Sequence, residues 1–187
     1  MKSLKTLFLL AVAVAALPAA AQNAAPATPP PPPPFTLSST SFQDGGVIPD
    51  KYTQASPNPV SPELEWVNVP AGTVSYVLLM HDPDNAPQKK LMDTLHWMMF
   101  NIPASTTKLP EGVPNEPTLP DGSVQLKTRT AGFMGPGARG IYHHYTLELF
   151  ALDTKLSLGP DATRQQVQDA MDGHILGKAV VEGRFHR

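Results

Sequence analysis

Four stretches of the chain carry sustained apolar character, and each is bounded by proline, glycine or a polar turn. Val74 to Met80 (VSYVLLM), Leu95 to Ile102 (LHWMMFNI), Tyr145 to Leu152 (YTLELFAL) and Val180 to Phe185 are rich in strand formers. Short apolar runs between breakers predict strands. One segment follows a different period: Val167, Ala170, Met171, His174 and Ile175 recur at helical spacing behind Thr163 and Gln166, which stand in the positions of a capping box. Gly173 is placed to end or bend that helix. The pattern predicts a mainly β domain with one or two helices near its C-terminal end, and no internal repeat is visible.

The first 34 residues follow neither pattern. Lys2 and Lys5 precede an apolar stretch from Leu7 to Leu17, and Ala19, Ala20 and Ala21 stand before Gln22. A positive start, a short apolar run and small residues predict a cleaved export signal over residues 1–21, and the run is too short to be a transmembrane segment. Residues 22–34 end in six consecutive prolines, which favour an extended rod without backbone hydrogen bonds and predict a linker. The predicted domain is therefore 35–187.

Composition narrows the function classes. The 187 residues hold 14 basic and 16 acidic side chains and no cysteine. Loss of the signal removes Lys2 and Lys5 and no acid, leaving 12 basic against 16 acidic and a formal charge of −4. Such a chain is not a nucleic-acid binder. Export predicts a periplasmic or secreted location, where a cysteine-free protein is held by its core alone.

Candidate chemistry gathers at strand ends. The run Val74 to Met80 leads into His81-Asp82-Pro83-Asp84, where proline fixes a turn and is expected to point both carboxylates into one rim. These residues alone also read as an Asx turn. His96 stands inside an otherwise apolar strand. The segment GFMGPGARGIYHHYTLELF, 132–150, has glycines at 132, 135, 137 and 140, whose free amides are suited to an anion-binding nest. His143 and Tyr145, two apart, share a strand face, and His144 points the other way.

These segments resemble the phosphatidylethanolamine-binding protein family, in particular its bacterial Raf-kinase-inhibitor-like branch. SPELEWVNVPAGTVSYVLLMHDPDNAP, HWMMFNIPAS, GFMGPGARGIYHHYTLELFALD and MDGHILGKAVVEGRFHR are similar to four of its segments in the same order. The resemblance implies a β-sandwich of a large antiparallel sheet and a smaller one, with an anion pocket at one end. Carried over by position, the ligand-binding residues are Asp82, Asp84, His96, Gly135, Pro136, His143 and Tyr145. Two departures stand out: Asn85 interrupts the family's Asp-Pro-Asp-Ala-Pro run, and Gly137-Ala138-Arg139 replaces further prolines.

An anion beside two bare aspartates is disfavoured, so Asp82 and Asp84 are expected either to orient histidine N–H groups and loop amides toward it or to keep one carboxyl protonated at the site. Protonated His96 and His143 are then expected to meet the anion. The resulting expectation is a binding protein, not an enzyme, for phosphate or a phospholipid headgroup-like anion, with no cofactor and no metal. A protein partner is admissible, in the form of an envelope protease inhibitor or other interaction module, as is a homodimer. A hydrolase or metal-dependent phosphoesterase is less favoured, because Gly-x-Ser-x-Gly and His-Glu-x-x-His are both absent from the sequence.

The signal assignment predicts a mature protein that begins near Gln22 and is recovered without detergent. Intact-mass spectrometry of the exported protein checks it, and recovery of a Met1 form from the membrane fraction contradicts it.

Overall fold

The computed structural model describes residues 31–85, 93–129 and 132–187. The predicted signal, residues 1–21, and most of the linker lie outside them. Pro33–Arg187 pack as one unit, built in chain order from β1 (Thr36–Ser38), β2 (Gly46–Val47), β3 (Leu64–Val67), β4 (Ser75–Asp82), β5 (Thr94–Pro103), β6 (Lys108–Leu109), β7 (Val124–Gln125), β8 (His143–Leu152), α1 (Arg164–Met171) and β9 (Ile175–Phe185). A large sheet has the order β2-β9-β8-β4-β5-β7, and a small one the order β1-β3-β6. All pairings between strands are antiparallel except β2 with β9, which is parallel.

Strand β4 shows why its sequence is continuously apolar: both faces are covered. Tyr76, Leu78 and Met80 point inward, into the core with Leu37, Leu64 and Trp66 of the small sheet. Val77 and Leu79 lie in a second cluster with Met98 and Phe100, against Val167 and Met171 of α1. Burying each aliphatic side chain removes it from water at a gain of roughly 1.5–3 kcal/mol. Helix α1 is thus fixed to the outer face by a narrow apolar stripe.

The helix starts where its sequence predicts. Thr163 accepts from the Gln166 amide while the Gln166 side chain accepts from the Thr163 amide, so two orphan N–H groups are satisfied together. Its end is earlier than the periodicity suggests. Gly173 adopts φ +79°, and Ile175 already belongs to β9. The four predicted strands are present and longer than read, and the strand from Val74 carries on through Asp82.

Two irregularities in β5 shape the large sheet. Tyr76 pairs with Ile102 and Leu78 with Met99, leaving an extra residue on β5; Asn101 within it adopts φ +57°. Its amide donates to the Leu156 carbonyl at 2.9 Å and accepts from the Leu156 N–H at 2.8 Å. The second irregularity lies between the Met80–Trp97 and His81–Leu95 pairs, and its extra residue is His96.

At the C-terminal end of the sheet, β2 covers only the last part of β9. Gly46 and Val47 pair with Gly183 and Arg184. Just before them, the Gly45 amide donates to the Glu182 carbonyl and the Asp44 carboxylate accepts from the Glu182 N–H.

Beside α1, a charge network crosses the outer face. Arg164 and His81 both bind the Asp93 carboxylate. The other ring nitrogen of His81 lies 3.6 Å from Glu148, which also holds Lys178 at 2.8 Å. The Glu148 contact, against burial and with help from Asp93, raises the His81 pKa. His81 in turn, with Lys178 and against burial, holds Glu148 down at about 2. Stabilisation through Glu148 is present above its ordinary value of 4.5 and is lost as pH falls toward 2. Stabilisation through His81 is complete below 6.5 and is lost as pH rises through its raised folded value. The network is therefore strongest between about pH 4.5 and 6.5.

Glu148→Gln should cost roughly 1–3 kcal/mol near pH 6 and flatten the loss of stability on acidification. Urea denaturation across the pH range measures both.

Candidate functional site

The inner end of β4, the bulge of β5, the start of β8 and the glycine-rich loop before it enclose a polar cavity of about 260 Å³. Of the residues predicted for a site, Asp82, His96, His143 and Tyr145 line it. Asp84, Gly135 and Pro136 do not.

Asp82 is almost wholly buried, at 2% exposure. Its Oδ1 accepts from the Asp84 amide at 3.0 Å, and its Oδ2 takes His143 Nδ1 at 2.8 Å. The Asx-turn reading and the site reading are thus both present in one carboxylate. Asp84 turns away instead of sharing the rim. Its Oδ2 accepts from the backbone N–H of His144 at 2.7 Å and lies 2.8 Å from His144 Nδ1. That backbone bond, and the His144 ring, lower the Asp84 pKa. Each aspartate therefore holds one of the two adjacent histidines, and strand alternation sends those histidines to opposite faces.

The β5 bulge aims His96. In uninterrupted pairing, His96 would stand opposite His81, whose side chain is on the outer face; the extra residue returns His96 to the cavity side. Its Nδ1 bonds to the Met134 carbonyl at 2.8 Å, while the Met134 amide donates to the His96 carbonyl. Burial lowers the His96 pKa, against the Met134 bond and the Asp82 charge, which raise it; Arg129 lowers it further. With Nδ1–H donated to Met134, neutral His96 offers a lone pair at Nε2. The expectation that it meets an anion as a cation is corrected accordingly.

Tyr145 is fully buried, edge-on to His96 with ring centroids 5.0 Å apart. Its hydroxyl oxygen accepts from the amides of Gly137 at 3.1 Å and Ala138 at 3.0 Å. Burial raises its pKa, so the phenol keeps its proton and has a hydrogen to donate. The same bonds correct the nest expectation: these loop amides are spent on the tyrosine.

Gly135 and Pro136 serve the wall from behind. The Gly135 carbonyl accepts from Gln54 Nε2 at 2.9 Å and the Pro136 carbonyl from the Gln54 amide at 2.8 Å. A Cβ on Gly135 would lie 2.9 Å from the Tyr52 carbonyl oxygen and 3.0 Å from Thr53 Cα, so glycine permits this approach. The pair anchors the loop to residues 52–54 and turns away from the cavity.

Further lining residues escaped the sequence reading: Gln54, Thr94 and Arg129. Asn85, the inserted residue, also lines the cavity and donates to Thr94 Oγ1 at 2.9 Å. Arg139 is exposed and reaches the cavity lining. A polar run with two cations, Lys127-Thr128-Arg129, ahead of the glycine loop was the available signal for Arg129. Among the described residues, no group of three or more histidine, aspartate or glutamate side chains is arranged to hold a metal ion.

His143→Ala leaves the buried Asp82 carboxylate without one partner and should cost about 2–4 kcal/mol. His144→Ala removes an exposed pair and should cost under about 1 kcal/mol. Chemical denaturation of the two variants compares them directly.

Comparison with known proteins places this geometry in context. Residues 38–186 match the family model described as phosphatidylethanolamine-binding protein. A UPF0098 protein of Methanothermobacter thermautotrophicus is 43% identical over 153 residues, covering 81% of this chain and 98% of the relative. Among solved structures, a protein described as a phosphatidylethanolamine-binding protein homologue from Chlamydia trachomatis superposes with a TM-score of 0.74 at 30% identity, covering 82% of this chain and 98% of that one. YbcL of Escherichia coli, described as a new member of the mammalian family, gives 0.71 at 28% identity with the same coverages.

Proposed function

The chain belongs to the phosphatidylethanolamine-binding protein family, and on that premise we propose that it is an exported, non-catalytic binding protein whose cavity takes a small anion, phosphate or a phosphorylated headgroup. One observation carries the reading: Arg129, Arg139 and Tyr145 line a cavity in which, among the described residues, Asp82 is the only carboxylate, hydrogen-bonded on both oxygens. Among the described lining residues, two arginines stand against one aspartate. The volume, about 260 Å³, lies below the range of drug-sized pockets and suits a small ligand.

Asp82 does not repel the anion as a bare charge would, because its oxygens are held by an amide and an imidazole. It orients His143 so that Nε2 is the ring atom left for a ligand. The His143–Asp82 pair resembles half of a catalytic triad, yet the hydroxyl of Thr94 accepts from Asn85, and among the described residues no serine or cysteine lines the cavity. This favours binding over hydrolysis. Beside the cavity, Ile141 is 70% exposed and Tyr142 44%. Two such residues next to the mouth support a second component of the reading, a protein partner whose contact responds to pocket occupancy.

Phosphate at one hundred times its Kd should stabilise the mature protein by about 2.7 kcal/mol, or roughly 5–10 °C in Tm. Differential scanning fluorimetry reads the shift. Absence of stabilisation by phosphate and by every phosphorylated headgroup, with a response to divalent metals instead, would favour the metal-dependent phosphoesterase.

A further inference from the structure

We infer that the cavity selects phosphate monoesters, dianions without an attached cation, over zwitterionic phosphate headgroups, and that Arg129 and Arg139 set this preference. The inference rests on the anion-binding reading above and narrows its ligand class.

Its basis is a pair of arginines that share one cavity and have no carboxylate partner among the described residues. Lys51, Lys108, Arg164 and Lys178 each hold a carboxylate within ion-pair distance. Arg129 and Arg139 hold none among the described residues, which contain all 16 acidic side chains of the chain. The two come from separate segments, one following β7 and the other in the loop before β8, and both line the same cavity. Arg129 is close enough to His96 for its charge to disfavour the imidazolium.

The acids that would offset these cations are committed elsewhere. Asp82 gives one oxygen to the Asp84 amide and the other to His143. Asp84 is bound to His144 on the far side of the strand. An ammonium group carried into the cavity meets two guanidinium charges and no free carboxylate. A phosphate monoester is close to a dianion at neutral pH and meets two planar forks that match its oxygens. The Tyr145 hydroxyl supplies a further donor. Neutral His96 presents an acceptor, a suitable partner for the residual P–OH of a ligand not fully ionised.

Titration calorimetry with n-propyl phosphate and O-phosphoethanolamine tests the inference, because the two differ by a methyl or an ammonium at the same place. At about pH 7.5, where the monoester is mostly dianionic, wild-type protein should bind propyl phosphate at least about tenfold more tightly. Arg129→Gln and Arg139→Gln should each weaken propyl phosphate by roughly five- to tenfold and move the affinity ratio toward one. Arg139→Lys should retain most of the ratio, since it keeps the charge. Melting curves of the variants confirm that they are folded. Co-sedimentation with phosphatidylcholine vesicles containing phosphatidic acid or phosphatidylethanolamine separates the two sources of the ligand: retention on phosphatidic acid alone supports a lipid monoester, and binding only to propyl phosphate supports a free one. Equal or tighter binding of O-phosphoethanolamine by the wild type overturns the inference and leaves the anion reading standing. Failure of both compounds and of inorganic phosphate to bind overturns both.

Discussion

The carboxylate of Asp82 joins the turn after β4 to the start of β8, 61 residues further along the chain. One oxygen closes the turn after β4 by accepting the Asp84 amide, and the other holds the His143 ring at the start of β8. Because the residue is buried, neither bond has water as a ready substitute, and loss of either leaves a charge in a poorly solvated place. The position of the His143 ring and the closure of the turn at Asp84 both depend on this one group. The cavity thus contains an acid whose charge is directed to its own scaffold.

A similar economy governs the loop before β8. Its amides at Gly137 and Ala138 face the Tyr145 oxygen and fill both lone pairs. The tyrosine fixes the loop, and the loop makes the tyrosine a donor only. Glycine at 135 lets this loop lie on the backbone of residues 52 and 53, so the cavity wall has two layers of main chain behind it. Cations then enter from outside this frame, on Arg129 and Arg139.

The sequence made some of this legible and hid the rest for physical reasons. Apolar runs long enough to be buried on both faces, such as Val74 to Met80, mark the central strands, and the Thr163–Gln166 pair marks the helix start. Strands of two to four residues such as β2, β6 and β7 bury too few side chains to leave a periodic trace. Motif resemblance and strand alternation point to Asp82, His96, His143 and Tyr145, the four that line the cavity. The orientation of His96 was beyond both, since a bulge is a property of register between two strands and not of either alone. Gly135 and Pro136 were rightly read as a loop, but which side of a loop faces a cavity depends on what it packs against, here Thr53 and Gln54. For Arg129 the local signal, a short cationic run, does not say where a segment after β7 returns in space, and only the fold brings it to the mouth of β4.

The parallel pairing of β2 with β9 sets a kinetic constraint. Gly46 finds its partner only in Gly183, and the Gly45 and Asp44 bonds to Glu182 likewise join the two ends of the domain. Contacts this remote along the chain close a long loop, whose entropy must be lost before any reward is gained. The N-terminal edge of the large sheet therefore cannot be completed until the last strand is available, and during synthesis the ordering of residues 44–48 waits for the end of the chain.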